Sequence, residues 1–144
     1  MKILCNNVDL EKDMQDLVNL FYDEEDCPFS VEHNLENKEN EYISTIFVGS
    51  GDDAKKYIKN FTINANASDL LKKSLIKRHC KNHLYEVLSF VSKKSLPWGS
   101  LTGVRPTKFA RDLVERGEIK PHLISEVLVR DYHVSSEKAK LVVQ

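Results

Sequence analysis

The chain has 144 residues, 41% hydrophobic and 30% charged, which predicts a globular fold with a sizeable interior. No apolar run approaches the ~18 residues that suggest a membrane-spanning helix. The net charge of −1 conceals a division, with residues 1–53 at −11 and residues 54–144 at +10. That split would let one half dock on the other, or give the basic half an anionic partner; solvated helix faces also account for many of the lysines. The opening "MKILCNNVDLEKD" turns acidic instead of continuing into an apolar signal core, so a cytoplasmic protein is expected. Cys5, Cys27 and Cys80 are widely spaced without a CxxC pair, which indicates neither a disulfide framework nor a zinc knuckle.

In chain order, "MKILC" reads as a short strand. The next segment, "DLEKDMQDLVNLFYDEE", is an amphipathic helix with Met14, Leu17, Val18 and Phe21 on one face and Asp9 as N-cap. "DCPFSVEHNLENKENE" is polar and irregular, with a brief strand near Phe29 to Val31. "EYISTIFVG" and "KKYIKNFTIN", joined by "GSGDD", predict a β-hairpin. From Ser68 or Asp69 to about Lys93, the spacing of Leu71, Leu75, Ile76, Cys80, Leu84, Val87, Leu88 and Val91 predicts the longest helix. The order strand, helix, hairpin, helix predicts an α+β fold, a small antiparallel sheet with helices on one face.

Beyond "LPWGSLTGVRPTKFARDLVERG" the pattern becomes helical. Pro106 opens a helix carrying Phe109, Ala110, Leu113 and Val114 inward and closed by Gly117. Pro121 opens a second with Leu123, Ile124, Val127 and Leu128, and Ser135 caps a third. The third reaches Gln144 in mid-pattern, as in a chain cut from something larger. The expected organisation is an accessory α+β domain over 1–95, a connection over 96–105 and a three-helix segment over 106–144.

Candidate chemistry is sparse. His79 and His83 stand at i, i+4, a spacing at which two imidazoles can share a metal with Glu86 as a third ligand. Lys77, Arg78 and Lys81 disfavour a cation there, and a solvated helix face is the plainer expectation. Cys80 falls on the apolar stripe and is expected to pack as a small hydrophobe. "GSLTGVRPTK" lacks the GxxxxGK[ST] order of a phosphate-cradling loop. Arg105, pushed to extended geometry by Pro106, stands at the N-cap without a side-chain oxygen for the N–H groups of Thr107 or Lys108. Thr102, a carboxylate from elsewhere in the fold, or an external anion would fill that position, which the helix dipole, Arg105 and Lys108 make favourable to negative charge. Trp98 is expected to fasten the loop over the core; a stacking platform is the alternative.

The stretch "LPWGSLTGVRPTK", the helix to Gly117, "DYHVSSEKAKLV" and "NLFYDEE" resemble the N-terminal region of the HemZ-type oxygen-independent coproporphyrinogen III oxidases of bacteria, also called coproporphyrinogen dehydrogenases. The match is close over 96–144 and loose over 1–95, and its most specific part runs from Trp98 to Lys108. The resemblance implies a parent radical S-adenosylmethionine oxidoreductase of heme biosynthesis that oxidatively decarboxylates coproporphyrinogen III to protoporphyrinogen IX. In that family a CxxxCxxC motif binds a 4Fe-4S cluster that in turn binds S-adenosylmethionine. The motif is absent here, so no cofactor ligand carries over, and the chain is expected to be inactive alone. It would dock on the parent's barrel or assist with substrate, with Trp98, Arg105, Thr107 and Lys108 as the contact residues. The competing expectation is a nucleic-acid-binding α+β module with a basic C-terminal half; the absence of an interleaved basic-aromatic pattern and of RRM- or KH-type signatures argues against it.

Overall fold

Asn7 starts the first helix by accepting the Asp9 N–H on its side chain at 3.0 Å, one residue pair upstream of the expected Asp9 cap. In the computed structural model, which describes residues 3–22, 29–49 and 53–142, helix α1 (Val8–Phe21) turns Leu10, Met14, Leu17, Val18 and Phe21 into the core. It links strand β1 (Leu4–Cys5) to β2 (Val31–Lys38), which lie parallel, as a strand–helix–strand crossover permits. Two residues are a minimal strand, and the Asn6 carboxamide lengthens it. Asn6 donates to the Leu35 carbonyl at 3.0 Å and accepts the Leu35 N–H at 2.8 Å, continuing the ladder with a side chain.

The irregular segment expected around residues 31–38 is instead a full strand. Val31 and His33 are buried, with half-buried Leu35 on the same face, while Glu32 is exposed; a histidine in the middle of the inward row hides the alternation. Strands β3 (Glu41–Val48) and β4 (Lys55–Thr62) form the expected antiparallel hairpin, and β2 pairs with β3 through the two-residue turn Glu39–Asn40, giving the order β1-β2-β3-β4. The sheet is therefore mixed, its parallel pair arising from the α1 crossover. Part of the "GSGDD" connection, and Cys27, lie outside the described residues.

Helix α2 (Asp69–Ser92) begins where Ser68 Oγ accepts the Leu71 N–H at 3.2 Å, and it packs on α1, β3 and β4. Phe21 of α1 meets Tyr85 of α2 with ring centroids 5.5 Å apart. Opposite residues Tyr42 and Phe61 stack at 5.3 Å, and His79 of α2 stacks on the same Phe61 at 4.4 Å. Among the described residues no helix is long and apolar enough to cross a membrane.

The chain divides into two units, Met1–Lys94 and Ser95–Gln144. The second unit holds a 3₁₀ turn at Gly99–Leu101, α3 (Pro106–Glu115), a 3₁₀ turn at Pro121–Leu123 where the second helix was expected to begin, α4 (Ile124–Tyr132) and α5 (Ser136–Val142). Its core is Leu101, Leu128, Val134 and Ala139, with Trp98, Phe109, Ile124, Tyr132 and Val142 packed around them. Ser135 accepts the Lys138 N–H at 3.3 Å as the α5 cap. Gly99, at φ +54°, lies against the end of α4, where an added Cβ would stand 2.2 Å from the Tyr132 carbonyl oxygen.

Backbone cannot move aside as a flexible side chain can. Gly99→Ala is therefore expected to destabilise the second unit by on the order of 3 kcal/mol. Gly103→Ala, at φ +87° with open space around it, should cost only the left-handed strain, about 1–2 kcal/mol. Trp98 is the chain's single tryptophan, so denaturation followed by its fluorescence measures the difference. Equal stabilities for the two variants would contradict the close approach.

Candidate functional site

Two places in the fold gather polar chemistry, one inside the first unit and one on the surface of the second. The first centres on Ser44, fully buried in the middle strand. On one side its Oγ lies 2.8 Å from His33 Nε2, and on the other 2.8 Å from His83 Nδ1. His33 Nδ1 continues to Cys5 Sγ at 3.5 Å, and the Cys80 thiol borders Ser44 and Cys5. One chain of polar groups thus crosses from β1 through β2 and β3 to α2.

A serine hydroxyl has one proton to donate and lone pairs to accept. With both imidazoles neutral, the chain closes in either of two directions: His83 Nδ1–H to Ser44 to His33 to Cys5, or the reverse. If both rings were protonated, both would donate to the same oxygen, and the Ser44 proton would have neither imidazole left as acceptor. Burial holds both rings neutral, lowering His33 and His83 to about 4. For His83, Lys59 lowers it further while Glu86 opposes. Burial also pushes the Cys80 thiol up to about 12, and raises Cys5. Such thiols are poor nucleophiles, because the thiolate is the reactive form.

The i, i+4 histidine pair does not converge on a metal. His79 stacks on Phe61, His83 bonds Ser44, and Glu86 accepts from Lys59 and from Asn82. Among the described residues no group of three or more His, Cys, Asp or Glu could hold a metal ion. Of the described cysteines, Cys80 is sealed in the core with its thiol pushed up to about 12 and Cys5 faces an imidazole, so neither presents a thiolate to a metal cluster. The pattern of the sequence marks Cys80 as core, but His33 and Ser44 carry no local signal, because only sheet pairing and the docking of α2 bring them to His83.

The second place is the start of α3. Arg105 occupies the N-cap position in extended conformation (φ −82°, ψ 100°), with Pro106 as first residue and no side-chain cap. Arg105, Thr107 and Lys108 are all exposed. Lys108 pairs with Asp112 at 3.3 Å, and among the described residues of this unit no carboxylate pairs with Arg105. Thr102 does not fill the cap, since its hydroxyl donates to the Gly99 carbonyl at 2.8 Å. Trp98 lies half-buried against the core of this unit, with Lys138 Nζ 5.8 Å from its ring centre. The arrangement therefore brings Arg105, Thr107 and Lys108 together at an uncapped helix terminus, whereas Trp98 serves the packing beneath it.

No family model matches the chain, and no curated protein or solved structure matches it.

The buried histidines set a pH dependence. Each is neutral in the folded state down to about pH 4, whereas an unfolded histidine takes up a proton near 6.5. Their stabilisation is complete above about pH 6.5 and is lost as pH falls toward 4, by about 1.4 kcal/mol per pH unit for each ring. Urea denaturation at pH 7.5, 6.5 and 5 should show the first two values close together and the third lower by roughly 4 kcal/mol. A flat profile from 6.5 to 5 would contradict buried neutral rings.

Proposed function

We propose that the chain is the non-catalytic N-terminal portion of an oxygen-independent coproporphyrinogen III oxidase, a cytoplasmic radical S-adenosylmethionine enzyme whose cluster and S-adenosylmethionine are held elsewhere in the parent. The reading is supported by the resemblance over Trp98 to Lys108. The observation that carries it is the exposed α3 terminus, where Arg105 stands in the cap position with no side chain capping the helix. A helix N-terminus with an adjacent guanidinium favours a carboxylate, and coproporphyrinogen III carries four propionates.

In this reading the chain's own residues bind and orient. Arg105 makes a bidentate pair with one propionate, and the Thr107 and Lys108 N–H groups take the oxygens that an N-cap side chain would otherwise supply. Lys108, tethered to Asp112, contributes less charge than its formal value. The Trp98 loop holds the terminus in place. The radical chemistry belongs to the cofactor and to residues outside this chain. The same terminus could instead orient the domain on the parent's barrel, using a barrel carboxylate in place of the propionate.

Arg105→Ala in the full-length enzyme is expected to raise KM for coproporphyrinogen III about tenfold with kcat little changed, the loss of one charge-assisted contact. Arg105→Lys should recover only part of it, because an ammonium lacks the planar fork. Unchanged turnover and KM in a correctly folded Arg105→Ala enzyme would remove the substrate role.

A further inference from the structure

Strand β4 ends the sheet order, so its outer edge has no ladder partner among the described residues. Beside it runs a shallow groove of about 460 Å³, floored and walled by Tyr57 and Lys59 of β4 and by His83, Glu86, Val87 and Phe90 of α2. The α2 residues stand at i, i+3, i+4 and i+7, one face of that helix. Phe90, on the groove wall, is left 72% exposed, whereas Ile58, at 56%, stands opposite Thr45 on the other face of the sheet. Tyr57 and Phe90 meet edge to face at 6.3 Å and form an aromatic lip.

The charge is one-sided. The strand "KKYIKNFT" carries Lys55, Lys56 and Lys59 and no carboxylate. The groove's one carboxylate, Glu86, is taken by Lys59, and among the described residues neither Lys55 nor Lys56 has an ion pair. Lysines on an edge strand discourage two copies from pairing with each other. They do not account for an exposed phenylalanine in the groove beside them. A strand with an open edge, a helix wall set beside it and a surplus of positive charge fit one class of occupant.

We propose that the groove between β4 and α2 takes up an extended acidic segment of a partner polypeptide as a fifth strand. Backbone hydrogen bonds to the open edge of β4 would supply affinity. Side chains on the α2 face would place an apolar residue against Phe90 and Tyr57 and a carboxylate near Lys55, and those on the other face a carboxylate near Lys56, whose Nζ lies 6.0 Å from the Phe47 ring centre. His83 borders the floor, its ring fixed by the bond of its Nδ1 to Ser44. This inference is independent of the parent's chemistry and concerns a different unit from Arg105.

The test is selection of a displayed library of random ten-residue peptides on the chain, followed by mapping of the enriched peptides on the ¹⁵N-labelled protein. The expected peptides alternate acidic and apolar residues, and their amide shifts are confined to residues 55–62 and 83–90. Lys55→Glu with Lys56→Glu should weaken binding at least tenfold, and Phe90→Ala several-fold. All three side chains are exposed, so the variants retain the fold, which the unchanged remainder of the amide spectrum verifies. No enrichment, enrichment of basic peptides, or shifts elsewhere would overturn the proposal. Salt-sensitive binding of a (dT)15 oligonucleotide that shifts the same residues would overturn it in favour of a nucleic-acid surface.

Discussion

A single hydroxyl at the centre of the sheet holds the first unit together in a way that apolar packing alone would not. Ser44 stands between His33 on β2 and His83 on α2, so that two strands and the long helix meet at one oxygen. Cys5 extends the connection to β1. A buried polar group is costly unless its partners are present, and each member of this chain supplies a partner to the next. The helix therefore cannot slide along the sheet without leaving an imidazole or a hydroxyl unpaired. That requirement fixes α2 in register as well as burying its stripe, and it sets the ring of His83 at the floor of the β4 groove.

The second unit is organised by a different constraint, the approach of Gly99 to the end of α4. Absence of a side chain at Gly99 lets the backbone reach the Tyr132 carbonyl, and Ser100 then donates to the same carbonyl at 3.2 Å. The Ser135 N–H closes the arrangement on the Pro97 carbonyl at 2.8 Å. With the loop tied at these points and Trp98 laid on the core, the chain leaves it toward Arg105 and Pro106 in a defined direction. An exposed, uncapped helix start is then a consequence of sequence: arginine has no oxygen to offer, and proline has no N–H to satisfy.

The helices were legible because their apolar spacing is local. Ser68, Ser135 and Pro106 stand where their capping chemistry places them, and the hairpin follows from alternation in β3 and β-branched and aromatic content in β4. Strand β2 was not legible, since its inward positions include a histidine whose burial makes sense only beside Ser44. The parallel β1 pairing was hidden for a similar reason: its third rung is made by the Asn6 side chain, which no alternation rule detects. His79 and His83 share a helical spacing, yet one meets an aromatic ring and the other a hydroxyl, a difference decided by β3 and β4. Of the surface site, Arg105, Thr107 and Lys108 were visible from the proline and the missing cap, while the tether of Lys108 to Asp112 became visible only with the helix in place.

The first unit depends on the two buried imidazoles being neutral and joined through Ser44. A ¹⁵N NMR titration of the histidine rings from pH 8 to 4.5 observes this directly. His33 and His83 are expected to stay neutral while the chain is folded, each keeping one slowly exchanging N–H proton, and Ser44→Ala is expected to perturb both rings together. Ordinary titration of either ring near pH 6.5 in the folded protein, or a Ser44→Ala spectrum that leaves both unchanged, would contradict it.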